Sequence, residues 1–367
     1  MRAERIVARG FRNLADLDLP LPPGGAVFLG PNGHGKTNLL ELLYYPVLFR
    51  SLRGARDAEV TRHGEAGFQL TLFLGQHRRP RELTARFVAA EKRKRLTLDG
   101  TEPERLGDAI GHWLAVAFLP TDLRLVQGPA SGRRQYLDRV LSLADRDYLR
   151  ALSRYRAAMA QRNAALRQRR ADLAAAFNAA LAAAGSALVR RRVAWVAECS
   201  GRFSAGCAEL GELEPVALRY RGDEGLGDEA RWRDALARAA QRDDALGTTT
   251  VGPHRHDLEL RLGRHPLREA GSTGQQRTAA VALKLCERDT LAAASGAEPA
   301  LLLDDVFAEL DRDRQERLAA RLLAGGARQT FITAPREDEL PGAFHLESLG
   351  VEAGRIGAGL GGGRLVA

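Results

Sequence analysis

The sequence predicts an α/β protein: a mixed, largely parallel sheet with an antiparallel β subdomain and an inserted helical lobe. Three observations predict it. Short apolar runs of strand length, bounded by Gly and Pro, fill roughly the first 120 residues and return near the end of the chain. Between them, residues 123–245 are dominated by Ala, Leu and Arg, with few turn residues after Gly132. Residues Gly30 to Thr37 read Gly-Pro-Asn-Gly-His-Gly-Lys-Thr between an apolar run and a good helix opening, the strand–loop–helix setting of a parallel sheet. The expected divisions are 1–122, 123–245 and 246–367.

Taken in order, Arg5 to Ala8 and Leu17 to Leu19 are short strands. Pro20, Pro22, Pro23, Gly24 and Gly25 mark a turn before the strand Ala26 to Leu29. The helix after the loop is expected to end or kink near Pro46, because proline removes an N–H and clashes with the preceding turn. Arg50, Arg53 and Arg56 then read as an exposed loop around Gly54. Phe68 to Leu74, Leu83 to Val88 and Arg95 to Leu98 alternate at period two, and Asp99-Gly100 is a hairpin turn signal. Trp113 to Leu119 is a further strand, stopped by Pro120.

In the helical region Leu152, Met159, Leu166 and Leu173 recur every seven residues, the stripe of a long helix or helical hairpin packing on one face. Further helices are expected near 186–210 and 229–241. Strand texture returns after residue 247. A strand Pro299 to Leu303 ends in Asp304-Asp305, a polar helix runs from Arg312 to Leu323, and Thr330 to Thr333 is another strand. The glycine-rich tail from Gly357 to Gly363 reads as mobile.

Composition limits the function classes. The chain of 367 residues has 45% hydrophobic and 28% charged residues, ordinary for a globular protein. The sequence has no uncharged apolar run of membrane-spanning length, and residues 1–6 have no apolar core of a secretory signal. Cys199, Cys207 and Cys286 form no C-x-x-C pair, which points to reduced core thiols and the cytoplasm. Net charge is +9, which suits a polyanionic partner such as nucleic acid. Residues 123–170 hold twelve arginines against three aspartates, an excess equal to that of the whole chain. Arg133, Arg134 and Arg139 are the candidate DNA contacts, since guanidinium groups suit phosphate. With few interleaved aromatic residues, duplex or junction backbone is the easier target than stacked bases of a single strand.

The loop Gly30, Pro31, Asn32, Gly33, His34, Gly35, Lys36, Thr37 fits phosphate-binding chemistry. Successive backbone N–H groups and a helix N-terminus form an anion site; Lys36 reaches the β- and γ-phosphates of ATP, and the Thr37 hydroxyl sits on Mg²⁺. Asp304, at the end of its apolar strand, is the second ligand for Mg²⁺, and Asp305 is placed to polarise an attacking water. Ser272-Thr273-Gly274-Gln275-Gln276 opens a later helix. Ser272, Gly274 and Gln275 are candidates to bind the γ-phosphate held by a second subunit, the order of motifs found in ABC-type ATPases. Ala308-Glu309-Leu310-Asp311 is similar to the loop that crosses their dimer interface.

The combination resembles the RecF family of recombination-mediator ATPases, related to SMC-type heads. The matching residues are Gly10-Phe11-Arg12-Asn13, the phosphate loop, Leu119-Pro120-Thr121-Asp122-Leu123, Gly128, Arg133-Arg134-Gln135-Tyr136-Leu137-Asp138 and Gln161-Arg162-Asn163. They continue with Gly252-Pro253-His254-Arg255-His256-Asp257-Leu258, Thr273-Gly274-Gln275-Gln276-Arg277 and Leu303-Asp304-Asp305 through Leu310-Asp311. The resemblance implies an ABC-type ATPase head carrying a helical insertion: a cytoplasmic, weak ATPase that dimerises on ATP and binds DNA. It also implies recombinase loading at gapped DNA with RecR and RecO, support of replication, and a part in the SOS response. The chain departs from the pattern at Pro46, where continued helix is expected, and at His256, where the family tends to have Asp. Asp305 replaces the glutamate usual in ABC proteins, and Thr333 replaces the histidine of transporter-type enzymes. An ABC subunit serving a membrane transporter is disfavoured by the basic helical lobe and that missing histidine. An ATP-binding interaction module without useful turnover is the other alternative.

Overall fold

The computed structural model describes residues 2–75, 81–308, 310–324 and 328–358. The chain divides into two compact units, Met1–Thr121 with Leu291–Ala367, and Asp122–Thr290.

The first unit holds two sheets. Strands Leu17–Pro20, Arg2–Arg9, Gly67–Gly75, Arg81–Val88 and Arg93–Leu98 form a five-stranded antiparallel sheet in that order. Period-two alternation explains its two faces: Phe68, Leu70, Leu72 and Leu74 are buried, as are Leu83, Ala85 and Phe87. Asp99 and Gly100 both have positive φ, 52° and 79°, as a tight hairpin requires. The second sheet has six strands in the order Arg355–Ala358, Glu347–Glu352, Gly25–Leu29, Thr330–Ala334, Ala300–Asp304 and Ala115–Phe118. All its pairings are parallel except the terminal hairpin. Its three central strands are buried at every residue, as strands covered on both faces must be.

The helix after the phosphate loop, Lys36–Leu48, ends two residues after Pro46 and is followed by left-handed Phe49. Lacking an N–H to bond the carbonyl of Leu42, Pro46 stands where the helix is expected to end, and it does end within the same turn. The apolar run from Trp113 contributes only Ala115–Phe118 to the sheet. The Trp113 indole instead donates Nε1–H to the Leu43 carbonyl at 2.9 Å.

The second unit is mainly helical. Ala130–Ala144, Arg146–Arg167, Asn178–Glu209 and Ala230–Leu246 pack with a small antiparallel sheet of Val216–Arg221, Asp257–Leu262 and His265–Pro266. Of the heptad stripe, Leu152 and Met159 join the main core, whereas Leu166 and Leu173 sit in a small satellite cluster. The division from the first unit falls at 290 rather than at the expected 245, because the strand from Asp257 pairs with Val216–Arg221 along its length. Helix Thr273–Ser295 carries the chain out of the unit. Cys199, Cys207 and Cys286 are buried free thiols. Glu309, in the loop expected at a dimer interface, and the tail from 359 lie outside the described residues. Asp311 caps the helix Arg312–Leu323 by accepting from the Arg314 N–H at 2.9 Å.

Candidate functional site

The phosphate loop leaves the buried strand Gly25–Leu29 and enters the helix Lys36–Leu48. Only glycine fits at two of its turns. A Cβ on Gly30 would come within 2.1 Å of the Val351 carbonyl oxygen. Gly35 caps the helix at φ 111°, conformationally closed to ordinary side chains. Lys36 is 5% exposed. Its ammonium donates to the Gly30 carbonyl at 2.6 Å, the Pro31 carbonyl at 3.1 Å and Asn32 Oδ1 at 3.4 Å.

Parallel register brings the two halves of the site together. Thr330–Ala334 lies between the loop's strand and the strand ending in Asp304, with Thr333 beside Phe28 on one side and Asp304 on the other. Asp304 Oδ1 accepts from the hydroxyls of Thr37 at 2.9 Å and Thr333 at 2.8 Å. Thr333 Oγ1 in turn accepts the Asp305 N–H at 3.1 Å. This holds Asp305 at φ 46°, a left-handed conformation that Asp tolerates better than most residues. Burial raises the pKa of Asp304 above the ordinary carboxylate range, against hydrogen bonds from Thr333 and Thr37 that lower it. Asp305 is raised by burial and then by the neighbouring Asp304 charge. Two carboxylates thus share a confined place where a cation would be welcome.

The donor set fits Mg²⁺. A hydroxyl and a carboxylate are hard oxygen ligands, and Mg²⁺ usually takes one or two such groups plus waters and phosphate oxygens. No group of three His, Cys, Asp or Glu able to hold a metal occurs among the described residues.

The loop is braced from outside its own motif. Asn13 Nδ2 donates to the Gly33 carbonyl at 3.3 Å, and Asn13 Oδ1 accepts from Asn38 at 2.6 Å. The Gly354 N–H donates to the His34 carbonyl at 2.9 Å. Buried Glu41 is held by Arg12 at 2.9 and 3.0 Å and by Arg53 and Ser51. Burial opposes its ionisation, but these partners prevail and keep its pKa low. Arg53 lies in an exposed loop, as expected, and is tied to Glu41 and Asn38.

No family model matches the chain. The DNA replication and repair protein RecF of Anaeromyxobacter dehalogenans (strain 2CP-1) is 40% identical over 355 residues, spanning 91% of this chain and 92% of that protein. RecF of Lactobacillus delbrueckii subsp. bulgaricus is 36% identical over 356 residues, spanning 93% and 92%. The chain belongs to the RecF family. A solved structure of the recombination mediator protein RecF with ATP in the RecFOR pathway has a TM-score of 0.88 at 27% identity, covering 97% of this chain and 96% of that one. An SMC head bound to the C-winged helix domain of ScpA shares the fold at a TM-score of 0.55 and 14% identity. The fold of this RecF-family chain is an ABC/SMC-type head.

The remaining candidate residues lie in the second unit. Ser272 and Gln275 form a reciprocal capping box: Ser272 N–H donates to Gln275 Oε1 at 2.9 Å, and Gln275 N–H donates to Ser272 Oγ at 3.2 Å. Ser272 and Thr273 are exposed, while Gly274 and Gln275 are half-buried. Buried Gln276 ties the turn down by donating to the Gly271 carbonyl at 2.9 Å.

The three candidate DNA contacts are placed differently from expectation. Arg133 is 4% exposed and makes a bidentate pair with Asp257 at 2.9 and 2.8 Å, besides donating to the Gly128 carbonyl. Arg139 pairs with buried Glu287 at 2.9 Å, and Arg134 donates to the His256 carbonyl at 3.0 Å. Arg133 and Arg139 serve the fold because acids distant in sequence converge on them, whereas half-buried Arg134 meets a backbone carbonyl. Asn13, Asn38, Glu41 and Gly354 were not legible as site residues; the only signal for Asn13 was the family-like Gly10-Phe11-Arg12-Asn13.

Proposed function

We propose that this chain is an ATP-driven switch of recombinational DNA repair. ATP and Mg²⁺ bind at Gly30–Thr37 with Asp304, and two copies associate when ATP is present. Ser272, Gly274 and Gln275 of a second copy close on the γ-phosphate. The observation that carries this reading is the Thr37–Asp304–Thr333–Asp305 chain of hydrogen bonds beside buried Lys36.

Bound Mg²⁺ would supply neutralising charge for the phosphates. Lys36 exchanges its loop carbonyls for β- and γ-phosphate oxygens. Thr333 keeps Asp304 oriented and Asp305 turned back from its strand. Asp305 then orients and polarises the attacking water. Its side chain is one methylene shorter than glutamate, which suits slow turnover used as a timer. The RecF names of the relatives support a role in recombination and replication-fork maintenance. We place the chain in the cytoplasm with RecR and RecO, loading recombinase at gapped DNA and supporting the SOS response.

The test is the rate of ATP hydrolysis with and without duplex or gapped DNA, at several protein concentrations. Wild type should gain specific activity with concentration and with DNA. Lys36→Ala should be inactive, and Asp305→Asn should lose about a hundredfold or more in kcat. Full activity in Asp305→Asn would remove Asp305 from the mechanism. Absence of DNA-dependent turnover in wild type would favour a passive ATP-binding module.

A further inference from the structure

The outer face of the five-stranded sheet carries a row of like charge. Register sets Arg9 opposite Gln69, Gln69 opposite Arg86, and Arg86 opposite Arg95 across four neighbouring strands. All four residues are exposed. Exposed Arg93 shares the face with Arg95, two positions along the same strand. With strands about 4.8 Å apart, the row spans about 14 Å.

The other end of this face is built in the opposite way. There Arg5 pairs with Asp18 and covers the Phe73 ring at 5.2 Å from its centroid. Glu82 lies beyond Phe73 and accepts from the Thr84 hydroxyl at 2.9 Å. At the basic end, Asp16 lies near Arg9 but is held by Arg62 at 2.7 Å. Among the described residues Arg86, Arg93 and Arg95 form no ion pair.

Folding does not account for the row. Like charges directly opposite each other on neighbouring strands are destabilising. Charges at a sheet edge can block unwanted strand pairing, which would serve for Arg93 and Arg95 on the edge strand. It does not serve for Arg86 or Arg9, whose strands are paired on both sides. Gln69, Thr84 and Thr97 on the same face show that neutral side chains are compatible with it.

We propose that this face binds the phosphate backbone of duplex nucleic acid, with Arg9, Arg86, Arg93 and Arg95 on phosphates and Gln69 donating its amide between them. The inference rests on the DNA-binding reading above and assigns it a surface. The basic half presents no aromatic ring: its other residues are Val7, Gly67, Thr71, Val88, Thr84 and Thr97. Base stacking is therefore not offered, and contact is with the backbone alone. The strand that supplies Arg9 runs directly into Gly10-Phe11-Arg12-Asn13, and Asn13 holds the phosphate loop. Arg9 is thus four residues from Asn13, the side chain that holds the loop.

The test is the salt dependence of duplex binding by the full chain, followed by anisotropy of a labelled duplex of about 20 bp between about 50 and 200 mM salt. Each phosphate contact adds about 0.9 to the slope of log K against log salt. Arg86→Thr/Arg95→Thr should lose about 1.8 of that slope, so the wild-type advantage shrinks by about 12-fold across the range. Arg5→Thr, at the paired end, should keep the wild-type slope. Equal slopes for wild type and the double variant, or an equal loss in Arg5→Thr, would overturn the assignment. Tighter, arginine-dependent binding of the labelled single strand would overturn its duplex character. A wild type that binds no nucleic acid would sink the DNA-binding reading itself, a different result. An unchanged melting temperature in the double variant shows that lost binding is not lost folding.

Discussion

Arg133 and Arg162 in the helical unit are each 4% exposed, and each meets a carboxylate far along the chain, Asp257 at 2.8 Å and Asp243 at 2.7 Å. On the five-stranded sheet, Arg86 and Arg95 face each other across two strands and are exposed. Arginines that look alike in composition therefore do opposite work. A buried, bidentate guanidinium is a fold determinant, fixed by acids that folding brings to it. An unpaired row costs the fold a little and is available to a polyanion. The local excess of nine charges over 123–170 counted the cations but not Asp243, Asp257 and Glu287, which lie outside that window and pair with Arg162, Arg133 and Arg139.

The comparison is most easily broken at Arg162. Its guanidinium donates to Asp243, Thr249 and Asn178. Arg162→Ala should destabilise the protein by about 3–5 kcal/mol, because it strands a buried carboxylate. Denaturant unfolding measures this. A loss below about 1 kcal/mol would mean that the pair is not a fold determinant.

A pH titration sharpens it at intermediate magnitude. Burial, then the positive charge of Arg192, depress the pKa of His256 to about 4. The Asp223 N–H donates to its Nε2 at 3.3 Å, so the neutral ring carries its proton on Nδ1, towards Tyr220 OH at 2.6 Å. The unfolded chain binds this proton more readily than the folded one. Stability from the neutral ring is thus complete above about pH 6.5 and is lost as pH falls from there towards 4, by a few kcal/mol at most. Replacing His256 with Gln should flatten that part of the stability profile. An unchanged slope would show that the ring is already charged in the folded state.

The smallest expected effect is on the sheet. Arg86→Thr/Arg95→Thr should leave stability unchanged or raise it by about 0.2–1 kcal/mol, since it relieves a like-charge pair. A clear loss of stability would show that the row has a structural partner and would erase the contrast with Arg162.

Much of the fold and half of the site were readable before folding was considered. Apolar runs and period-two alternation located the five strands of the antiparallel sheet and four of the six in the other sheet; Glu347–Glu352 and Arg355–Ala358 were not foreseen, and the latter includes the start of the segment read as a mobile tail. The phosphate loop and Asp304-Asp305 are continuous motifs whose chemistry depends on adjacent residues. The helix after the phosphate loop ends two residues beyond Pro46, as the missing N–H led one to expect. The lobe boundary was set too early because strand pairing between Val216–Arg221 and Asp257–Leu262 leaves no mark in either segment alone. Thr333 was visible only as a missing histidine.

By itself, then, the sequence determined the element types, the loop that can cradle phosphates, and the acids that can face it, since these follow from local periodicity and short-range spacing. Tertiary structure alone decided the rest. Placing Thr330–Ala334 between two other strands made Thr333 the bridge from Asp304 to Asp305. Convergence of distant acids turned Arg133 from a ligand candidate into a core residue. Cross-strand register gathered Arg9, Arg86 and Arg95 into a row. In each case the physical reason is the same: strand order, register and long-range ion pairs join residues that have no neighbourhood in the chain until it folds.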